Sequence, residues 1–200
     1  MHDDDIFRII LIVGFLILIP IGAYHRIKSH TGEKLDRSQE GPFILFTLRP
    51  LGVVGMVGLI AFMINPSLMA WSSVPLPTWL RGLGVGLGII SGSLIIWTLR
   101  SLGKNLTDTV VTRKDHSLVT SGPYCWVRHP FYSSAAIAIL ANSLVAANWF
   151  LFLAGILFFM LIRIRTRKEE KNLPGRFGEE YGNYMKRTGR FLPLIGRERA

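Results

Sequence analysis

The residues of this chain whose types and spacing could do chemistry lie mainly in two stretches of its second half, and a third stretch, Leu106–Thr120, precedes them. The first is GPYCWVRHPFY, in which Tyr124, Arg128 and His129 precede a proline. The second contains Arg165 and Glu169, which are four residues apart, so that on one helix they share a face and can form an ion pair. Tyrosine, tryptophan and arginine also anchor proteins in the headgroup layer of a membrane. The combined cluster of Tyr124, Arg128, His129, Pro130 and Tyr132 nevertheless favours a binding or catalytic site over simple anchoring.

Two other kinds of site are not expected. His116 and His129 are 13 residues apart and the sequence contains no HxxxH pattern, so a metal site is not indicated. Cys125 is the single cysteine, which excludes an intramolecular disulfide. A cysteine nucleophile needs an activating helper, and the one candidate for that role near Cys125 in the sequence is His129, four residues on. We therefore expect neither a bound metal nor a cysteine nucleophile.

The elements that position these residues follow from hydropathy. The chain has 200 residues, half of them hydrophobic, and its long apolar runs are Ile6–Tyr24, Phe43–Ile64, Trp79–Leu99 and Phe131–Ile164. One membrane-crossing helix needs roughly 20 residues at a rise of about 1.5 Å each. The last run is too long for one helix and suits two short ones with a turn at Asn148. The sequence thus predicts an all-α, polytopic integral membrane protein with five transmembrane helices.

The basic residues predict how these helices are oriented. Lys and Arg number 23 against 13 Asp and Glu, and 20 of the 23 fall in the first loop, the third loop or the tail from residue 163. Because basic loops stay in the cytoplasm, we expect a multi-pass protein of the cell membrane with its N-terminus outside and its C-terminus cytoplasmic. The net charge of +10 then reflects topology rather than nucleic-acid binding. The leader Asp3–Asp5 is acidic, unlike that of a signal peptide, so the first span should be retained.

Glycine and proline positions add detail to this arrangement. Gly84, Gly88 and Gly92 recur every four residues in the third span, which predicts a small-residue face for close helix packing. They do not have the spacing of a dinucleotide fingerprint. Pro174–Gly175 predicts a helix break after the fifth span. We expect a single domain over residues 1–200, with three spans and their loops in 1–100 and the catalytic half in 101–200.

The C-terminal half resembles a known family. GPYxxxRHPxY at Gly122–Tyr132, followed by EExxLxxxFGxxYxxY at Glu169–Tyr184, is similar to the pattern of the isoprenylcysteine carboxyl methyltransferases and their prokaryotic relatives. HSLVTSG at His116–Gly122 matches the stretch that precedes the first motif. The first 100 residues match only in being helical membrane segments.

This resemblance implies that S-adenosylmethionine is the methyl donor and S-adenosylhomocysteine the product. The cytoplasmic loops and the part of the chain after the last predicted span would bind the donor. Arg165 would face the methyl-accepting substrate, and Arg165 and Glu169 would act in catalysis. The implied donor-binding residues are His116, Ser117, Leu118, Val119, Tyr124, His129, Pro130, Phe131, Tyr132 and Glu169.

The implied function is methyl transfer to a carboxylate of a lipophilic, isoprenylcysteine-like acceptor at the cytoplasmic membrane face. The expected partners are the bilayer and a lipophilic small molecule or prenylated substrate, with no nucleic acid and no metal.

One alternative is a phospholipid or other lipid N-methyltransferase, in which Glu169 or His129 would have to act as a base. Others are a nicotinamide-dependent membrane reductase and a non-catalytic transport or assembly subunit. Arg49 and Arg81 could mark a transport pathway, but both lie near span ends, where their side chains can reach the headgroup layer.

Overall fold

A computed structural model describes residues 3–29, 44–103 and 118–194. These parts of the chain are helical, apart from connecting turns and two isolated β-bridges. The five α-helices, in chain order, are α1 Asp3–Lys28, α2 Arg49–Ile64, α3 Thr78–Leu102, α4 Pro130–Val145 and α5 Trp149–Arg187. The shorter helical segments are a π-helical turn at Ile44–Leu48 and 3-10 helices at Pro66–Ser72 and Gly122–Cys125.

The all-α, polytopic membrane fold predicted from the sequence is confirmed. In the described chain, the segments Asp4–Lys28, Phe46–Ile64, Thr78–Leu102 and Trp149–Gly175 are long and apolar enough to cross a membrane. The fifth expected span, α4, is also apolar but has only 16 residues. It is therefore about 24 Å long, against a hydrocarbon core of about 30 Å. The protein is a multi-pass membrane protein in which α4 is shorter than a full crossing.

The turn between α4 and α5 lies where the sequence places it. Asn148 is the N-cap of α5, and its side-chain oxygen accepts a hydrogen bond from Leu151 N at 3.1 Å. Its side-chain nitrogen donates to Ser72 Oγ at 2.8 Å and to Met69 O at 3.3 Å. The buried amide thus caps one helix and fastens the hairpin to the 3-10 segment before α3, which leaves no buried polar group of the side chain unpaired.

The glycine face of α3 provides close packing, as predicted. A Cβ atom on Gly84 would lie 2.8 Å from Leu144 Cβ and 3.0 Å from Ala141 O, so only glycine allows α4 to approach this closely. A Cβ on Gly92 would meet Leu18 Cδ2 of α1 at 3.3 Å. The glycines therefore place α3 against both α4 and α1.

The sequence-based expectation for Arg81 is wrong. Its side chain does not extend to the headgroup layer but is buried, with Nη1 2.7 Å from Asp4 Oδ1. Its Nε donates to Val145 O at 3.0 Å, and its guanidinium lies 4.1 Å from the centroid of the Phe7 ring. The acidic leader supplies the carboxylate that offsets the cost of burying this cation. Arg81 consequently joins α1, α3 and α4 at one end of the bundle.

The expected break at Pro174–Gly175 is also displaced. α5 continues through Pro174 and departs from helical geometry at Gly178, where φ is 54° and ψ is −134°. The fixed φ of proline is compatible with a helix even though its missing N–H costs a hydrogen bond. A positive φ, by contrast, is readily adopted only by glycine. The direction of the chain therefore changes four residues later than the sequence indicates.

Candidate functional site

The segment before α4 is shaped by one glycine and one proline. Gly122 has a φ of 62°, and a Cβ at this position would lie 3.1 Å from Ser101 Cβ and 3.4 Å from Trp97 Nε1. Only glycine combines this backbone conformation with so close a neighbour. Pro130 occupies the first turn of α4, and His129 just before it has the non-helical angles φ −126° and ψ 61°. The segment thereby places Tyr124, Arg128 and His129 at the N-terminal end of α4.

The chain after α5 docks on this segment. Val127 and Gly189 form an isolated parallel bridge. Arg128 N donates to Gly189 O at 2.8 Å, His129 N donates to Arg190 O at 3.0 Å, and Gly189 N donates to Trp126 O at 3.2 Å. These bonds join two segments about sixty residues apart in sequence. We call residues 188–191 the C-terminal segment.

A buried carboxylate fastens the same two segments through their side chains. Glu170 Oε1 accepts from Arg128 Nε at 2.9 Å and contacts His129 Nε2 at 3.2 Å. Glu170 Oε2 accepts from Arg190 Nε at 2.8 Å and also from Arg190 Nη2. The Glu170 side chain is only 6% exposed. We call these four residues the Glu170 cluster.

The neighbouring carboxylate is in the opposite state. Glu169 Oε2 is buried and has no hydrogen-bond partner, and the same holds for Arg165 Nε one turn earlier on α5. No ion pair joins Arg165 to Glu169 in the described chain, although their spacing predicts that they can pair. A buried polar atom without a partner is costly. The two residues therefore offer unused hydrogen-bonding capacity to a ligand.

Two tyrosines, Tyr124 and Tyr132, lie near the unpaired polar atoms of Glu169 and Arg165. Tyr132 is within electrostatic range of both Glu169 and Arg165. Burial, and then the nearby Tyr184 and Glu169, raise the pKa of Tyr124 above its usual range. Tyr184 Oη donates to Tyr124 O at 2.7 Å, which fixes the turn that carries Tyr124. At neutral pH both rings are uncharged and can contact a cationic ligand.

The other predicted donor-binding residues are distributed as follows. His116 and Ser117 lie outside the described residues. Leu118 and Val119 are half-buried just before the Gly122 turn. Pro130 is buried and Phe131 is 42% exposed at the start of α4. His129 is directed to Glu170, and its ring stacks on Tyr132 with centroids 5.7 Å apart and an interplanar angle of 21°.

Reasoning from the sequence missed Glu170 as the centre of a cluster, and it did not single out Arg190 as one of its partners. Adjacent residues on a helix differ by about 100° in direction, so a Glu-Glu pair points its two carboxylates to different sides. A carboxylate that is buried on folding also requires hydrogen-bonding or cationic partners. The two consecutive glutamates, Glu169 and Glu170, were therefore the sequence feature that could have indicated different roles for the two residues. Among the described residues, no group of three or more His, Cys, Asp or Glu side chains is placed to hold a metal ion.

Comparison with known proteins gives consistent matches. Residues 84–174 match the isoprenylcysteine carboxyl methyltransferase (ICMT) family. Protein-S-isoprenylcysteine O-methyltransferase of Rattus norvegicus is 32% identical over 131 residues, which cover 62% of this chain and 45% of that protein. Methanethiol S-methyltransferase of Pseudomonas deceptionensis is 36% identical over 83 residues, covering 42% of this chain and 31% of that protein.

A solved structure shares the fold. The eukaryotic intramembrane Ras methyltransferase ICMT matches with a TM-score of 0.56 and 26% identity, over 74% of this chain and 52% of that one. The chain thus spans about half or less of the length of these relatives. The matched region contains α4, most of α3 and the part of α5 that carries Arg165, Glu169 and Glu170.

Proposed function

We propose that this chain is an S-adenosylmethionine-dependent membrane O-methyltransferase, because residues 84–174 match the isoprenylcysteine carboxyl methyltransferase family. Its acceptor is the carboxylate of a lipophilic, isoprenylcysteine-like molecule, and its product from the donor is S-adenosylhomocysteine. One observation carries the proposal. A buried carboxylate oxygen and a buried guanidinium nitrogen, on Glu169 and Arg165, lack partners one helical turn apart.

The proposed donor suits Glu169 and the two tyrosines. S-adenosylmethionine supplies a methyl group on a cationic sulfonium and also carries an amino-acid headgroup. Glu169 can accept hydrogen bonds from, and neutralise, the cationic groups. The Tyr124 and Tyr132 rings can contact a cation face-on, at about 0.5–2 kcal/mol for each such contact. These residues thus fit a cationic methyl donor.

The proposed acceptor suits Arg165. A carboxylate is already ionised at neutral pH, so the reaction needs no strong general base. The raised pKa of Tyr124 keeps this group a neutral phenol, which agrees with a reaction that needs no base. Arg165 would hold the carboxylate so that one oxygen forms the new O–C bond to the methyl carbon. The S–C bond breaks in the same step and its electron pair stays on sulfur, so an anion and a cation give two neutral products.

The position of Arg165 on α5 suits a lipophilic acceptor. α5 is apolar from Trp149 and becomes basic at residues 163–168, so Arg165 lies where the helix leaves the hydrocarbon core. An acceptor with a long apolar tail can keep that tail in the bilayer while its carboxylate reaches Arg165. The distribution of basic residues favours a cytoplasmic location for this end of α5.

A thiol is the second candidate acceptor, because one relative is a methanethiol S-methyltransferase that is 36% identical over 83 residues. A thiolate is also an anion, so Arg165 could orient it. An amine acceptor is less compatible with the site. It would have to lose a proton next to Arg165, and it would need Glu169 or His129 as a base.

The test uses protein purified in detergent. We expect S-adenosylmethionine and S-adenosylhomocysteine to raise the melting temperature, whereas NADPH leaves it unchanged. Transfer of a labelled methyl group is then measured to a farnesylated cysteine analogue with a free carboxylate. The amide of that analogue, methanethiol and phosphatidylethanolamine serve as competing acceptors. Stabilisation by NADPH alone, or labelling of phosphatidylethanolamine alone, contradicts the proposal, and labelling of methanethiol alone establishes the thiol reading.

Substitutions separate the two roles. Arg165→Ala should lower the rate of carboxylate methylation about 10- to 100-fold, which corresponds to the loss of a hydrogen bond to a charged group. Binding of S-adenosylhomocysteine should change little. Arg167→Ala is the matched control, because Arg167 is exposed two residues away on the same helix. If Arg165→Ala instead abolishes binding of S-adenosylhomocysteine, Arg165 belongs to the donor site.

A further inference from the structure

We propose that Glu170 is a positioning residue of the methyl-transfer site, which couples docking of the C-terminal segment to the placement of His129 and Tyr132. This inference rests on the proposed function and concerns a residue that does not itself contact the reacting groups. Glu170 adjoins Glu169 in sequence, yet its two carboxylate oxygens are fully engaged by Arg128, His129 and Arg190.

The cluster is buried enough for its geometry to be fixed. The side chain of Arg128 is 11% exposed and that of His129 is 10% exposed, against 6% for Glu170. One carboxylate faces two guanidinium groups, so the cluster keeps an excess of positive charge when His129 is neutral. Removal of Glu170 would leave two buried or half-buried cations without compensation, which is far more costly than removal of a surface charge.

The first connection runs from Glu170 to the candidate reaction site. Glu170 Oε1 lies 3.2 Å from His129 Nε2, and the His129 ring stacks on Tyr132 at 5.7 Å. Tyr132 in turn is within electrostatic range of Glu169 and Arg165. The hydrogen bond to Glu170 therefore sets the plane of a ring that supports one wall of the site.

The second connection runs from Glu170 to the C-terminal segment. Arg190 reaches Glu170 Oε2 from this segment, while Arg128 also donates to Thr188 O and, at 3.3 Å, to Met185 O at the end of α5. Ser133 Oγ of α4 donates to Phe191 O at 2.6 Å, and the Phe191 ring lies 5.8 Å from that of His129. His129 is thus held between Glu170, Tyr132 and the docked segment.

These two connections make different predictions from a general stabilising role. If Glu170 positions the wall of the site, its loss should alter turnover and local exchange even where the protein remains folded. If Glu170 only adds stability, a variant assayed well below its melting temperature should turn over normally. Normal turnover by such a variant would overturn the proposal.

The experiment compares Glu170→Gln, Arg190→Gln and the double variant with Glu180→Gln, whose carboxylate is exposed on the same helix. Each is assayed at least about 15 degrees below its own melting temperature, so that the folded form predominates. We expect Glu170→Gln to lower kcat at saturating donor and acceptor at least about tenfold. Amide exchange should rise together in residues 126–129 and 188–191. Glu180→Gln should behave as the unchanged protein.

The double variant supplies the rescue. The neutral amide introduced by Glu170→Gln cannot compensate the charge of Arg190, so removal of both charges should restore part of the lost kcat. Normal kcat and normal exchange in Glu170→Gln would refute the positioning role. If Glu170→Gln does not fold, Arg190→Gln tests the same coupling, because Arg190 is 34% exposed and its loss is milder.

Failure of the two proposals can be told apart. An unchanged protein that neither binds S-adenosylhomocysteine nor transfers a methyl group refutes the proposed function. In that case the exchange measurement still decides whether Glu170 couples the two segments. An active protein whose Glu170→Gln variant is equally active refutes only the positioning role.

Discussion

Glu169 and Glu170 are consecutive in the sequence, yet their carboxylates are in opposite bonding states. Glu170 accepts hydrogen bonds from both of its neighbouring arginines, whereas Glu169 has a buried oxygen with no partner. One carboxylate is therefore committed to the structure and the other is available to a ligand. This division of roles underlies the first prediction.

Glutamine substitutions at the two positions should change the stability of the ligand-free protein in opposite ways. Glu169→Gln removes the charge of a carboxylate that has a buried oxygen without a hydrogen bond, so we expect an equal or higher melting temperature together with weaker binding of S-adenosylhomocysteine. Glu170→Gln breaks a buried ion cluster and should lower the free energy of unfolding on the order of 3 kcal/mol. Thermal unfolding in detergent, with and without S-adenosylhomocysteine, measures both effects. Equal destabilisation by the two changes would contradict the division of roles.

A second prediction concerns the two glycines near the end of α5. Gly178 has a φ of 54° and a ψ of −134°, and a methyl group added there would meet open space, so Gly178→Ala should cost about 1–3 kcal/mol through the backbone alone. Gly175 also has open space but lies within the helix, so Gly175→Ala should stabilise the protein by about 0.5–1 kcal/mol. Parallel melting curves of the two variants check this contrast. A stabilising Gly178→Ala would mean that the chain does not turn at Gly178.

The third prediction concerns pH. Burial, followed by the nearby charge of Glu170, raises the pKa of Tyr181 to about 12. In the unfolded chain a tyrosine ionises near pH 10. Between about pH 10 and 12 the unfolded form therefore loses a proton that the folded form keeps, and stability falls as pH rises through this window.

Tyr181→Phe tests this alkaline loss directly. The Tyr181 hydroxyl is buried without a hydrogen-bond partner, so its removal should not destabilise the protein at pH 8. We expect the melting temperature of the variant to fall less steeply above pH 10 than that of the parent. Superimposable pH profiles would show that Tyr181 does not contribute.

The fourth prediction concerns orientation. Cys125 is the single cysteine of the chain and is exposed in the segment between α3 and α4. If this segment is cytoplasmic, a membrane-impermeant maleimide should label Cys125 only after cells are permeabilised. A Cys125→Ser variant that also carries Ser67→Cys, an exposed position between α2 and α3, should be labelled in intact cells. The reverse labelling pattern would invert the proposed topology.

Much of the fold was predictable because membrane helices are specified by composition. Long apolar runs, the turn at Asn148 and the glycine face of α3 each follow from local sequence, and each is confirmed. The burial of Arg81 was not predictable in this way. It depends on Asp4, 77 residues away, and hydropathy does not pair distant charges.

The candidate site was predictable only in part, for the same reason. The motifs indicated Arg165, Glu169 and the aromatic residues, because these residue types and spacings are distinctive. The role of Glu170 depends on three partners that come from two distant segments. The parallel bridge between Val127 and Gly189 likewise has no signal in either short segment.

That bridge bears on the order in which the protein is made. Residues 188–191 follow α5 in the chain, so they leave the ribosome after both helices of the α4–α5 hairpin. Until then, Arg128 and His129 have Glu170 but lack the backbone partners that Gly189 and Arg190 provide. The candidate site can therefore be completed only after α5 has been synthesised, and a chain that ends before residue 188 lacks these backbone partners of Arg128 and His129.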